Sequence, residues 1–269
     1  MRTGDERMDL DGKVALVTGA SRGVGAATAI ALAQAGCRVA CAARSTAAEP
    51  QRTPGTLDAT VDAIRSAGGD AIAVPTNLAD EDEVTAMVAR TVDRFGALDV
   101  LVNNAAITFV GDLDIPAKRH ALVMAVNFHA PFVAIREAAP HLRRGGGAIV
   151  NVSSAAALVP FPGLMSYGAS KAALERLSID VAQQLRDDGV ACNVFRIDVP
   201  VASEGFVANT PGVDRSDWEP CEVAAEGILW VLRQPASFSG RLLGMNALRR
   251  EHGIMPSRAE RPFAGSSPR

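Results

Sequence analysis

Tyr167 and Lys171 stand four residues apart in Tyr167-Gly168-Ala169-Ser170-Lys171, a spacing that puts a phenol and an ammonium on one face of a helix. A phenol is a poor base near neutral pH because its ordinary pKa is about 10, but a neighbouring positive charge favours the phenolate. Thirteen residues before the tyrosine the chain reads Ser153-Ser154. A serine hydroxyl beside the phenol can hold the oxygen of a reacting group by donating a hydrogen bond while the phenol exchanges a proton with it. Tyr167 is the only tyrosine in the chain. A Tyr and a Lys at this spacing often coincide by chance, so the pair gains meaning only from what surrounds it.

A second constellation lies near the N-terminus, in Thr18-Gly19-Ala20-Ser21-Arg22-Gly23-Val24-Gly25, between an apolar run and an alanine-rich helical stretch. Glycines at a strand-to-helix turn let the backbone approach a ligand closely. The helix start offers free N–H groups and partial positive charge, which suit the pyrophosphate of a dinucleotide. Gly19, Ser21, Arg22, Gly23, Val24 and Gly25 are therefore the expected cofactor turn. The next apolar run ends Cys41-Ala42-Ala43-Arg44-Ser45. An acidic residue there would bind a ribose 2′-OH. Its absence, together with Arg44 and Arg22 as two cations for a 2′-phosphate, predicts NADP(H) over NAD(H).

Short runs rich in Val, Ile, Leu and Ala alternate with stretches of helical period, which predicts an α/β fold: one doubly wound, mainly parallel seven-stranded sheet with helices on both faces. The expected strands are Val14–Thr18, Arg38–Ala42, Ala71–Pro75, Val100–Val102, Ala148–Val152, Ala191–Arg196 and Arg241–Leu243. The expected helices are Gly23–Ala35, Leu57–Ala67, Glu81–Phe95, Pro116–Leu142, Tyr167–Leu185 and Glu222–Leu232. Ser45–Gly55, with two prolines, reads as an extended loop. Residues 1–248 form the expected dinucleotide-binding and catalytic domain, and 249–269, with scattered charge and a Gly-Ser-Ser-Pro ending, a tail expected to be partly disordered.

Composition removes several function classes. Net charge is −3 and the pI about 5.8, with Lys and Arg dispersed, so no nucleic-acid or membrane-surface partner is expected. No apolar run is long enough to span a bilayer and the charged start is unlike a secretory signal, which makes the cytoplasm the default location. The four cysteines form no CxxC pair and are read as reduced packing residues. The four histidines show no metal-ligand spacing, so no catalytic metal is expected.

Over about residues 10–245 the chain resembles the classical short-chain dehydrogenases/reductases. The likeness rests on TGASRGVG, Asn103-Asn104-Ala105-Ala106, Asn127, Ser153-Ser154 and YGASK. It implies a Rossmann-type domain that transfers hydride between NADP(H) and the carbonyl or alcohol carbon of a small molecule. By the same resemblance Tyr167 is the acid/base, Ser154 orients the substrate, Lys171 lowers the tyrosine's pKa and holds the nicotinamide ribose, and Asn127 orders a water that links Lys171 to solvent. Asn77 and Leu78 would border the adenine, Asn104, Ala105 and Ala106 the ribose, and Val201 and Ser203 the nicotinamide amide. The chain departs from the family pattern at Ala106, where glycine is usual, at Asn77, where aspartate is usual, and at Arg196-Ile197-Asp198-Val199-Pro200, where a Pro-Gly is missing.

Leu158, Val159, Phe161, Leu164, Met165, Phe206, Val207 and Trp218 fall in segments expected to rim the crevice, which points to an apolar or mixed substrate. The two long helices resemble those that pair subunits in the family, implying a homo-oligomer, a tetramer or dimer. Two other readings fit the same motifs. A dinucleotide-binding sensor without turnover would have no need of the full set Asn127, Ser154, Tyr167 and Lys171. An epimerase or dehydratase working through transient oxidation would use all four.

Overall fold

The computed structural model describes residues 6–256. Its sheet contains β1 (Val14–Thr18), β2 (Arg38–Ala43), β3 (Ala71–Pro75), β4 (Val100–Asn103), β5 (Ala148–Ser154), β6 (Ala191–Ile197) and β7 (Leu242–Gly244). All neighbours pair in parallel, in the order β3-β2-β1-β4-β5-β6-β7. The order reverses between β1 and β4. In an open α/β sheet the crevice beyond the strand carboxyl ends at such a switch point is where ligands bind.

Alternate residues of each strand serve opposite faces. Ala15, Val17, Val39, Cys41, Val100 and Val102 pack under α1 (Gly23–Gln34), α2 (Leu57–Ser66) and α8 (Cys221–Leu232). Val14, Leu16, Ala40, Ala42, Leu101 and Ile149 pack under α3 (Glu81–Phe95), α5 (Ala130–Leu142) and α6 (Met165–Gln184). Burial on both faces explains why these strands read as continuous apolar runs.

The expected single helix over 116–142 is interrupted. It consists of α4 (Ala117–Met124), a π-helical turn at Ala125–His129, and α5. Pro131 supplies the cause: it has no N–H to give the carbonyl of Asn127, four residues earlier, and its ring crowds that oxygen. A widened turn relieves the clash and takes the Asn127 carbonyl out of the regular α-helical ladder.

Two helices extend the expected set, α7 (Glu204–Asn209) and α9 (Met245–His252). The latter crosses the expected domain boundary at 248. Arg249 donates to the Met255 carbonyl at 2.6 Å, the Met255 N–H donates to Glu226, and Met255 is buried, so the domain continues to the end of the described residues. The rest of the expected tail, 257–269, lies outside them. Among the described residues no helix is long and apolar enough to cross a membrane.

Candidate active site

The turn after β1 is built on two glycines that nothing larger can replace. Gly19 has φ +71°, and a Cβ there would sit 2.8 Å from Asn104 Nδ2 and 2.9 Å from Ala105 Cα, so the turn and the segment after β4 touch. A Cβ on Gly25 would collide with the Gly19 carbonyl oxygen and with Asn104 Nδ2. Gly25→Ala is accordingly expected to lower stability by roughly 1–3 kcal/mol, an overpacking cost, and to reduce NADPH affinity more than tenfold. Thermal unfolding with and without NADPH measures both; a variant that binds NADPH like wild type would remove the turn from the site.

The N-terminus of α1 has the makings of an anion seat. Arg22 at its N-cap gives no side-chain cap, and no acidic residue lies in its first turn, whereas α2 and α3 are capped by Thr56 and Asp80. Arg22 donates from one guanidinium nitrogen to the Gly55 carbonyl at 3.1 Å, which brings the proline-containing loop over the turn. Its Nε is buried without a partner. Burial lowers the Arg22 pKa, Glu204 counteracts and Arg44 adds to the lowering, so the two arginines feel one another. An orphaned donor beside a second, exposed cation fits a phosphate that both can reach. Ser21 and Val24 are buried beneath the turn, and Gly23 faces Ser203 and Glu204.

The candidate residues Ser154, Tyr167 and Lys171 meet at the end of β5. Ser154 neighbours the partly buried Tyr167 phenol, and its Oγ accepts from Ala156 N–H at 3.3 Å. Burial raises the tyrosine's pKa and the neighbouring Ser154 hydroxyl lowers it in part. Lys171 Nζ lies 5.7 Å from the ring centroid and donates to the Val152 carbonyl at 2.7 Å. Burial brings the Lys171 pKa down to about 8, against the raising influence of Glu175.

Asn127 is fully buried. Its Oδ1 accepts from the Ile107 N–H at 2.8 Å, and its Nδ2 donates to the Ile107 carbonyl at 2.9 Å and to Ser170 Oγ at 3.1 Å. The side chain thus splints the loop after β4 to α6, with both amide groups engaged.

Several expected cofactor residues turn out to hold the local backbone. Asn104 Nδ2 donates to the Thr18 carbonyl at 2.9 Å, and Ala105 N–H to Thr18 Oγ1 at 3.1 Å. Asn77 Oδ1 accepts from Ala79 N–H, while its own N–H donates to Glu83. Leu78 packs against the α3/α5 core. Val201 is buried in the α1/α8 core and pairs with Glu219. Ser203 caps α7, accepting from Phe206 N–H at 3.3 Å. Ala106 is exposed and does not adopt the left-handed backbone that would demand glycine; alanine is accepted there without strain.

A buried network behind the site was not expected from sequence. Ser153 Oγ donates to Glu175 Oε1 at 2.7 Å, and Arg196 clasps the same carboxylate through Nε at 2.9 Å and a terminal nitrogen at 2.7 Å. Ser153 and Arg196 are register partners on β5 and β6. The available signal was Glu175 itself, one helical turn beyond Lys171 on the same face.

Comparison with known proteins agrees with this geometry. The family model for short chain dehydrogenases matches residues 13–199. The chain is 37% identical over 217 residues to 2-(R)-hydroxypropyl-CoM dehydrogenase of Xanthobacter autotrophicus, covering 74% of this chain and 84% of that protein. It is 40% identical over 184 residues to the 3-oxoacyl-(acyl-carrier-protein) reductase FabG of Staphylococcus aureus, covering 67% and 72%. Its fold superposes with TM-score 0.78 and 33% identity on the crystal structure of a short chain dehydrogenase from Burkholderia cenocepacia in complex with NADP, covering 89% of this chain and 98% of that one. With a glycine turn at the switch point and a Ser-Tyr-Lys cluster one strand away, the chain belongs to the short-chain dehydrogenase/reductase family of oxidoreductases.

Proposed function

We propose that this protein interconverts an alcohol and a carbonyl on a small apolar or mixed substrate with NADP(H), Tyr167 acting as the general acid/base. The observation that carries the reading is the placement of Ser154 at the end of β5 beside Tyr167, with Lys171 Nζ 5.7 Å from the Tyr167 ring, next to the glycine turn at the switch point. A bound nicotinamide would supply or accept the hydride. Ser154 would donate a hydrogen bond to the substrate oxygen, Tyr167 would give or take its proton, and Lys171 would bias the phenol and hold the ribose. Asn127 would hold a water through its backbone carbonyl as a proton route to solvent. Gly19, Ser21, Arg22, Gly23, Val24, Gly25 and Arg44 would seat the phosphates, with Asn77, Leu78, Asn104, Ala105, Ala106, Val201 and Ser203 forming the surrounding walls.

The rim supports the substrate class. Leu158, Val159, Phe161 and Met165 are exposed on the segment between Ser154 and Tyr167, and Phe206 stacks on Trp218 with ring centroids 4.7 Å apart. Leu122, Phe132 and Ile179 expose apolar surface on α4, α5 and α6, which supports subunit pairing through these helices.

NADPH and NADH oxidation against a panel of ketones, quinones, sugars and oxoacyl thioesters, with alcohols in reverse, tests the reading. NADPH-preferring turnover supports it; tight cofactor binding with no turnover on any member favours a sensor. The double variant Arg22→Ala/Arg44→Ala is expected to lose NADPH affinity by about 100-fold, two charge-assisted contacts at about 1.5 kcal/mol each, with NADH affinity changed only a few-fold. Equal losses for both cofactors would refute the 2′-phosphate assignment.

A further inference from the structure

We propose that α9 is a clamp holding the segment 199–218 against the glycine turn, with Arg249 and Asp198 as its positioning residues; this rests on reading that turn as the cofactor seat. The segment leaves β6 after Ile197 and returns at α8, and it brings Ser203 Cβ and Glu204 Oε2 to within 3.1 Å and 3.4 Å of where a Gly23 Cβ would lie. Its two roots meet in a single isolated bridge, Val201 with Glu219, closed by Ala202 N–H to the Glu219 carbonyl at 2.8 Å and Glu219 N–H to the Pro200 carbonyl at 2.9 Å. One bridge is a weak restraint on a long loop, because a backbone hydrogen bond adds little net stability once its exchange with water is counted.

Helix α9 grips both roots. At the exit root the Arg249 guanidinium meets the Glu219 carboxylate at 2.6 Å, with side-chain exposures of 17% and 5%. Its Nε is aimed by the Met255 carbonyl at 2.6 Å. At the entry root the Asp198 carboxylate accepts from the Asn246 N–H at 3.1 Å in the first turn of α9, and Asn246 Nδ2 reaches the Asp198 carbonyl at 3.4 Å. Asp198 stands in the stretch that lacks Pro-Gly, so an acidic cap on α9 fixes a path that a rigid turn would otherwise set. A shielded ion pair at one root and a helix cap at the other hold the ends of the segment at a fixed separation, and Phe206 stacked on Trp218 ties its interior.

Hydrogen exchange on the full-length protein without cofactor tests the clamp directly. In Arg249→Met, amides of 199–220 are expected to exchange at least about tenfold faster than wild type while β1, β4 and β5 amides stay within about twofold, the pattern of local rather than global opening. NADPH affinity, read by fluorescence titration, is expected to fall about tenfold, with KM for NADPH rising more than kcat falls. Arg249→Lys, which keeps a charge, is expected to recover part of both effects. Asp198→Ala, which leaves the ion pair intact, should loosen the same segment from its other end. Unchanged exchange at 199–220 in both Arg249→Met and Asp198→Ala, or acceleration spread evenly over the sheet, overturns the proposal. Failure of wild type to bind either NADPH or NADH would overturn the cofactor seat instead, and the exchange data would still decide whether α9 holds the segment.

Discussion

Tyr167→Phe is expected to reduce kcat/KM by about 10²- to 10⁴-fold, the contribution of a positioned acid/base, while NADPH affinity stays close to wild type. Phenylalanine keeps the ring against Lys171 and removes only the hydroxyl beside Ser154. The direction of pH dependence follows from the two shifted groups. Burial holds the Tyr167 pKa above its usual value, so the phenol is protonated at neutral pH and ready to donate during carbonyl reduction. Alcohol oxidation needs the phenolate, and its rate should climb as pH rises from neutrality. Lys171, brought down by burial to about 8, is protonated below that value and loses its charge above it. Carbonyl reduction should therefore be flat below about pH 8 and decline beyond. Steady-state pH profiles in both directions check this. Turnover that survives in the phenylalanine variant, or reduction that rises through pH 8 to 9, would rule out the assigned roles.

The parts of this arrangement visible in sequence are those where one residue's type decides its conformation. Val14–Thr18 and Glu81–Phe95 coincide with their expected ranges because a fully buried strand and an Asp-capped amphipathic helix each carry a strong local pattern. Gly19 and Gly25 were legible for the same reason: only glycine fits those backbones. The π-turn was hidden because the apolar period runs straight through it, although Pro131 in the helical pattern was its signal. Short α7 spans too few turns to show a period, and α9 was masked by the scattered charge of the tail, although Met245 and Leu248 make its buried stripe. Asn77 and Asn104 were ambiguous in type, since an amide serves a ligand and a loop equally well. Their side chains bond to backbone, Asn77 to Ala79 in its own loop and Asn104 to Thr18 at the end of β1. Contacts between distant residues, such as Arg249 with Glu219, have no local signature at all.

Glu175→Ala is expected to destabilise the protein by about 3–5 kcal/mol, the cost of stranding one partner of a buried ion pair. At about 2–4 °C per kcal/mol for a chain of this size class, the melting temperature should fall by about 6–20 °C. Arg196 and Glu175 side chains are only 10% and 8% exposed, and the carboxylate takes two bonds from Arg196 and one from Ser153. Removing it leaves a guanidinium that cannot shed its charge and a serine hydroxyl without its acceptor. The double variant Glu175→Leu/Arg196→Met removes both charges and should regain most of the loss, since apolar replacement of a buried pair is often near neutral. A surface-like pair would behave differently, with the single variant within about 1 kcal/mol of wild type. The double variant also separates stability from chemistry. Glu175 raises the Lys171 pKa against burial, so even a restored fold should lose Lys171 protonation at lower pH than wild type, and the decline in carbonyl reduction should begin earlier. Restored stability with an unmoved pH profile would mean that the network holds β5, β6 and α6 together without tuning the lysine.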